Sequence, residues 1–320
     1  MAVREIDGSF GEGGGQILRT SLALSLITRT PFRMVNIRVK RAKPGLRRQH
    51  LTAVRAAARI GNAQVEGDAL NSTALAFRPG EVTGGQYEFD VGTAGSTTLV
   101  FQTVLPALLL CGHPSTVTLR GGTHNHGGPP WEFLHSVFLP VIVRMGAKVT
   151  IRLARHGFAP AGGGEWSAEI LPTRLHPIEL HERGERRDRT VTAVVSNLPP
   201  SIAERELEVV RAELKWPATT FKAETVESDG PGNIVMINGV FSHVSELATG
   251  FGRRGVPAEH VAADAVECWS LYEQSGAPVG EHLAVQLLPP FALAGGGSFV
   301  SKGTTNPPQV RTASQRRGVS

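Results

Sequence analysis

Three glycine triplets punctuate this chain, at residues 13–15, 162–164 and 295–297, each beside an apolar segment. Their spacing, roughly 140 residues, is too long for a solenoid of short repeats, so it predicts a fold built from a few large internal copies. Glycine supplies left-handed backbone and close approach. With 37 glycines in 320 residues, tight turns are a theme of the whole chain. The length suits one large domain plus a smaller one, and a hydrophobic share of 41% is enough for a sizeable core.

Hydrophobic periodicity predicts helices over 16–27, 49–60, 97–110 and 131–145, the third kinked at Pro106 and the fourth stopped by Gly146. Strands are predicted over 115–119, 148–153 and 166–171. The composition then changes at the charged stretch "HERGERRDR", residues 181–189. Beyond it a strand (190–195), a helix (202–214), two strands (219–226 and 233–237) and a helix (258–274) make a small α/β unit. The earlier pattern resumes at Gly280. The expected organisation is a main domain over 1–183 and 277–320, with an α/β insertion at 184–276.

The net charge of +5 hides a division. Residues 184–276 carry 9 Lys/Arg and 14 Asp/Glu; the remainder carries 24 and 14. Between Gly13 and Val65 there are 11 basic residues and no acidic one. A field of one sign this dense points to a polyanionic partner, phosphates or nucleic acid. Two cysteines, no signal pattern among the early charges Arg4, Glu5 and Asp7, and no apolar run long enough for a bilayer predict a cytoplasmic protein without a membrane span.

Five segments carry candidate chemistry. In "DGSFGEGGGQILRT", residues 7–20, a glycine loop feeds a helix start, so amides and the helix dipole favour an anion there. Glu12 in that loop suits a divalent metal, and Arg19 lies one turn into the helix. A plain strand-to-helix turn is the competing reading. "RVKRAKPGLRRQHL", residues 38–51, places six basic residues around a Pro-Gly turn, suited to phosphate or to a solvated basic face. In "RGGTHNHGGPPWEF", residues 120–133, His124 and His126 would share one side of an extended strand, as a metal pair or in a polar loop. "RHGFAPAGGGE", residues 155–165, must approach a ligand or its own backbone closely. In "GEHLAVQLLPPFALAGGG", residues 280–297, His282 and Gln286 are one helical turn apart. They either cap a buried helix or read a base edge, as Gln102 could from within its apolar helix.

Together "GEGGGQILR", "RAKPGLRRQHL", "RHGFAPAGGGE" and "GEHLAVQLLP", in this order, resemble the RNA 3′-terminal phosphate cyclase family over residues 5–300. The fold this implies is α+β: a main domain of three βαβαββ repeats interrupted by a small α/β insert. The implied reaction turns an RNA 3′-phosphate into a 2′,3′-cyclic phosphate, converting ATP to AMP and pyrophosphate through enzyme-AMP and RNA-adenylate intermediates. By resemblance Glu12 would hold Mg²⁺ or Mn²⁺. Arg19 and Arg41 would act in catalysis, and Arg48 and Gln49 would hold phosphates of ATP or RNA. Gln102 and the run His282, Leu283, Ala284, Val285 and Gln286 would line the nucleotide pocket. Val285 stands where the family usually has an acidic residue.

The larger departure is at the C-terminal end. The family's nucleophilic histidine precedes a Thr-Asn pair by three residues; counting back from Thr305-Asn306 reaches Lys302, and no histidine follows His282. Three readings stand. Lys302 forms a phosphoramidate with AMP, which requires its amine to be neutral. The chain is instead a catalytically silent relative that binds RNA or takes part in ribosome biogenesis. Or "PPQVRTASQRRGVS", which has almost no apolar periodicity, is a frameshifted or truncated end of an ordinary cyclase. A small-molecule enolpyruvyl transferase shares the repeated architecture, but the four motifs and the acid-free stretch argue against it.

Overall fold

A computed structural model describes residues 3–11 and 13–302 and the backbone of 309–312. Glu12 and the Thr305-Asn306 pair lie outside the described residues. The chain divides into two compact units, residues 1–123 with 147–174, and residues 124–146 with 175–320.

The first unit contains the same strand pattern twice. In one copy β1 (Arg4–Asp7), α1 (Gly15–Thr28), β2 (Phe32–Val35), α2 (Arg48–Ile60), β3 (Gln64–Glu66) and β4 (Leu75–Arg78) form a sheet of order β1-β2-β4-β3. In the other, β5 (Gln86–Asp90), α3 (Thr97–Leu110), β6 (Ser115–Gly121), β7 (Lys148–Arg155) and β8 (Gly164–Leu171) give the order β5-β6-β8-β7. In each, the first two strands are parallel around a helical crossover, and the remaining pairings are antiparallel. The first copy is the expected βαβαββ unit; the second has the same strand order, with the helical segment between β6 and β7 assigned to the second unit. Helices α1, α2 and α3 pack on one another. Helix α3 is buried from Thr97 to Leu109 with the single exception of Gln102. Pro106 sits within that helix. The Trp166 indole N–H donates to Thr97 Oγ1 at 2.8 Å while its ring meets Phe101 edge-on. A fully buried aromatic of this kind contributes about 2–3 kcal/mol.

In the second unit the helix expected over 131–145 is broken into α4 (Trp131–Phe133), a π-helical turn (Leu134–Phe138) and α5 (Leu139–Arg144). Pro140 has no N–H for the carbonyl one turn back, and the widened turn falls beside it. Then follow β9 (Glu179–Leu180), β10 (Arg186–Ser196), α6 (Ser201–Leu214), β11 (Phe221–Thr225), β12 (Gly232–Phe241), β13 (Ser245–Phe251), α7 (Ala258–Ser275), α8 (Glu281–Leu293), β14 (Ser298–Ser301) and β15 (Gln309–Thr312). A sheet of order β11-β10-β12-β13 carries α6 and α7, over a core that includes Val191, Val195, Val235, Ile237 and Trp269. A second sheet, β15-β14-β9, pairs β9 and β14 in parallel and β14 with β15 antiparallel. A parallel pair joined through a helix, with an antiparallel neighbour, is how the two earlier copies also begin. The segment from β10 to α7 therefore enters a third copy between its first strand and its first helix.

The three glycine triplets do not occupy equivalent places in these copies. Residues 13–15 lead into α1, 162–164 join β7 to β8, and 295–297 link α8 to β14. Strands β1 to β5, β9, β13 and β14 have no counterpart among the strands expected from periodicity. No helix among the described residues is long and apolar enough to cross a membrane.

Candidate active site

The densest constellation in the first unit surrounds the start of α1. Gly14 caps that helix without a side-chain hydrogen bond, and its first turn carries no acidic residue. Gly13 has φ +57°, which favours glycine. Gly15 is needed for space: a Cβ there would lie 2.4 Å from His50 Nε2 and 2.8 Å from an Arg19 guanidinium nitrogen. A Cβ on Gly14 would lie 3.1 Å from Arg41 Nη2. The triplet thus lets Arg19, Arg41 and His50 crowd onto one helix N-terminus, where the backbone dipole already favours negative charge.

Burial lowers the Arg19 pKa to about 10, so it stays cationic at neutrality, and its guanidinium donates to Gln16 Oε1 at 2.8 Å. Arg38 is also lowered by burial, then by Arg41 and Arg47; it donates to the carbonyls of Lys43 and Gly45 and braces the basic loop. His50 was not singled out in the sequence. It is 4% exposed, and its Nδ1 accepts the Arg47 amide N–H at 3.2 Å at the start of α2, while the His50 amide donates to the Arg47 carbonyl at 2.9 Å. Burial, with Arg38, Arg19 and Arg47 around it, lowers its pKa to about 3. The ring is therefore neutral, with its proton on the Nε2 that faces Gly15. In the sequence His50 stands three residues after Arg47, the place from which a Glu or Gln returns to the N-cap amide in a capping box.

Gln49 follows on α2, and its Oε1 accepts the Ser96 amide N–H at 2.9 Å, tying α2 to the N-cap of α3. Expected to hold phosphate, Gln49 therefore has one end engaged in bracing. Arg48 is exposed and approaches Gly92 in the loop before α3. Gln102 lies one turn into α3, half-buried.

In the second unit α8 presents His282, Val285 and Gln286 on one stripe, exposed or half-buried. Leu283 and Ala284, expected with them in the nucleotide-lining run, are 0% and 1% exposed and belong to the core. Five consecutive helical residues cannot face one ligand, because successive side chains turn by about 100°. Lys302 is half-buried and follows Ser301, which bridges to Val279 just before α8. It leaves the sheet beside the start of that helix. Glu12, the expected metal ligand, lies outside the described residues.

The two histidines of the third motif separate. His124 is buried with Nε2 2.6 Å from Glu132 Oε2, whereas His126 is exposed and meets Phe251 edge-on. The glycine-rich 155–165 loop approaches its own backbone: a Cβ on Gly157 would lie 2.3 Å from the Gly121 carbonyl, and one on Gly162 2.9 Å from the Ala94 amide.

Repeated strand patterns with their crossover helices, and a glycine-rich helix start ringed by cations, define an α+β protein. A family model described as RNA 3′-terminal phosphate cyclase matches residues 10–315, and the chain belongs to that family. Proteins named RNA 3′-terminal phosphate cyclase are 51% identical in Ectopseudomonas mendocina, over 92% of this chain and 86% of theirs, and in Ralstonia nicotianae, over 93% and 86%. One from Salmonella enteritidis is 46% identical over 92% and 87%. Among solved structures, an EPSP synthase from Acinetobacter baumannii aligns at 14% identity with a TM-score of 0.29, covering 66% of this chain and 55% of that one.

Proposed function

We propose that this protein converts an RNA 3′-terminal phosphate into a 2′,3′-cyclic phosphate at the expense of ATP. The observation that carries the reading is the start of α1, where Arg19, Arg41 and the Nε2–H of His50 converge on a glycine-capped helix N-terminus. A terminal phosphate is a poor electrophile until it bears a leaving group, and AMP supplies one. In this reading a nucleophile on the enzyme displaces pyrophosphate from ATP and takes AMP. The RNA 3′-phosphate then displaces that nucleophile, and the vicinal 2′-hydroxyl closes the ring and expels AMP. Arg19 and Arg41 neutralise charge on the transferring phosphates. Arg48 and Gln49 hold the RNA or nucleotide phosphates, and Gln102, His282 and Gln286 face the nucleotide. Glu12 is the proposed ligand for Mg²⁺ or Mn²⁺.

Lys302 is the proposed AMP acceptor, through its Nζ. A second reading rests on the same residue: with lysine in the histidine's place, the chain binds RNA without catalysis. The deciding experiment uses RNA labelled in its 3′-phosphate, with Mg²⁺ and ATP. Label that becomes resistant to phosphatase supports the cyclase reading. With ATP labelled at the α-phosphate, protein-bound label lost in Lys302→Ala assigns the acceptor. Full phosphatase sensitivity with RNA binding intact supports the binder instead.

A further inference from the structure

Helix α8 begins without a side-chain cap of its own. In a capping box the third helical residue returns a carboxylate to the amide of the N-cap. Here the N-cap is Gly280 and the third helical residue is Leu283, which is committed to the core. The missing acceptor comes from β13, 34 residues earlier: Glu246 Oε2 accepts the Gly280 N–H at 3.1 Å. Its other oxygen accepts the Leu247 N–H at 3.4 Å. Gly280 has φ −67°, a backbone open to any residue, yet a Cβ there would lie 2.2 Å from Glu246 Oε2. Glycine is required at 280 because the carboxylate comes so close.

Two further groups grip the same short segment. Arg183 donates to the Ala277 carbonyl at 2.9 Å and lies over the Tyr272 ring at 3.8 Å. The Tyr272 hydroxyl donates to the Pro278 carbonyl at 3.0 Å. Residues 277–280 are thus held at three of four positions by Arg183, Tyr272 and Glu246. Two of these, Tyr272 on α7 and Glu246 on β13, belong to the elements inserted between β9 and α8. The next side chains along the chain are those of α8, beginning with Glu281 and His282.

We propose that Glu246 is a positioning residue for the nucleotide-facing stripe of α8, setting His282 and Gln286 by fixing the amide at which the helix starts. The proposal rests on the reading of that stripe as a nucleotide contact, and it gives the insertion a part in the site. Glu246 is 6% exposed, and burial raises its pKa to about 7, opposed by its two backbone hydrogen bonds and Arg183. The titratable groups that face it are Arg183, and Cys268 and Tyr272 on α7. Glu281 and His282 lie in the helix turn it caps, and His135 lies on the π-helical turn packed against β13. When ionised, the carboxylate accepts more strongly and complements the helix dipole, but the cost of burying its charge outweighs both, so the hold weakens as it ionises.

The test is hydrogen exchange of amides 280–284 in the free, full-length protein, alongside ATP titration, for wild type, Glu246→Ala and Glu246→Gln. Glu246→Ala is expected to lose about tenfold in protection of these amides and in ATP affinity. Glu246→Gln keeps the volume and an acceptor, so it should retain most protection at pH 6. It should lack the fall in protection that wild type shows as Glu246 ionises between pH 6 and 8. Protection and pH dependence equal to wild type in both variants would overturn the proposal. If protection changes but the wild-type chain binds no ATP, the nucleotide reading of α8 is what fails, and the hold of Glu246 on the helix stands.

Discussion

Helices α1, α3 and α8 hold the same place, the first crossover of each strand pair, yet their N-termini are completed in three ways. Helix α1 starts at Gly14 with no side-chain cap and is ringed by Arg19, Arg41 and His50. Helix α3 is capped by its own Ser96, whose Oγ accepts the Leu99 N–H at 3.3 Å. Helix α8 takes the Glu246 carboxylate at its N-cap amide. Equivalent backbone dipoles thus meet cations in one copy, a hydroxyl in the second and a carboxylate in the third. A helix start that collects cations is costly unless negative charge meets it. In the proposed function, the start of α1 is the one of the three that receives phosphate.

The sharpest way to break this contrast is Arg41→Ala or Arg19→Ala. Each should weaken ATP binding about 100-fold, the value of a lost charge-assisted hydrogen bond to phosphate. The equivalent truncation at α3, Ser96→Ala, should leave ATP affinity within about twofold. Calorimetric titration of both decides it; equal effects would remove any distinction between the two starts.

Next in size is Gly15→Ala. Its methyl must displace His50 or Arg19, so ATP affinity should fall about tenfold and stability by about 1–3 kcal/mol, read by titration and denaturant unfolding. Gly280→Ala should cost a similar 1–3 kcal/mol by meeting Glu246. A neutral result at either glycine would show that its neighbouring side chain moves aside without penalty.

The two units should also answer pH with opposite sign. His50 has a pKa lowered to about 3, so the folded state binds its proton less readily than the unfolded chain. Its contribution to stability is lost as pH falls from about 6.5 towards 3. Glu206 and Glu246 are each raised to about 7 by burial, so they stabilise most when protonated, and that contribution is lost as pH rises from about 4.5 through 7. Between about pH 4.5 and 6.5, hydrogen-exchange protection in α2 should drop on acidification while protection in α6 and β13 rises. The expected span is about 1–3 kcal/mol. Slopes of the same sign would remove the electrostatic contrast between the units.

The smallest effect is the cost of Ser96→Ala itself, about 1 kcal/mol by thermal unfolding, an ordinary N-cap loss.

Much of this was legible in the sequence, though not always for the reason first offered. The three triplets suggested internal copies, and copies exist, but the triplets fall at a helix start, a strand connection and a helix exit. Glycine marks a tight approach and does not say what approaches: at Gly15 a histidine and an arginine, at Gly157 backbone, at Gly280 a carboxylate. Helices read well, since α1, α2, α3, α6 and α7 carry long apolar stripes. Strands of three to five residues such as β3 and β4 hold too few periods to stand out. The basic stretch pointed to an anion, and two of its cations, Arg19 and Arg41, lie at one helix start.

What the chain determined by itself is local and cumulative: helical stripes, turns, a field of positive charge, and motifs specific enough to reveal the family. Three things needed tertiary structure. His50 is neutral because folding buries it among arginines. Only one stripe of residues 282–286 is open, because the helix turns Leu283 and Ala284 into the core. Glu246 caps a helix 34 residues away because the register of β13 brings it there. Each depends on long-range contacts, and burial and neighbouring charge exist only once distant segments have come together.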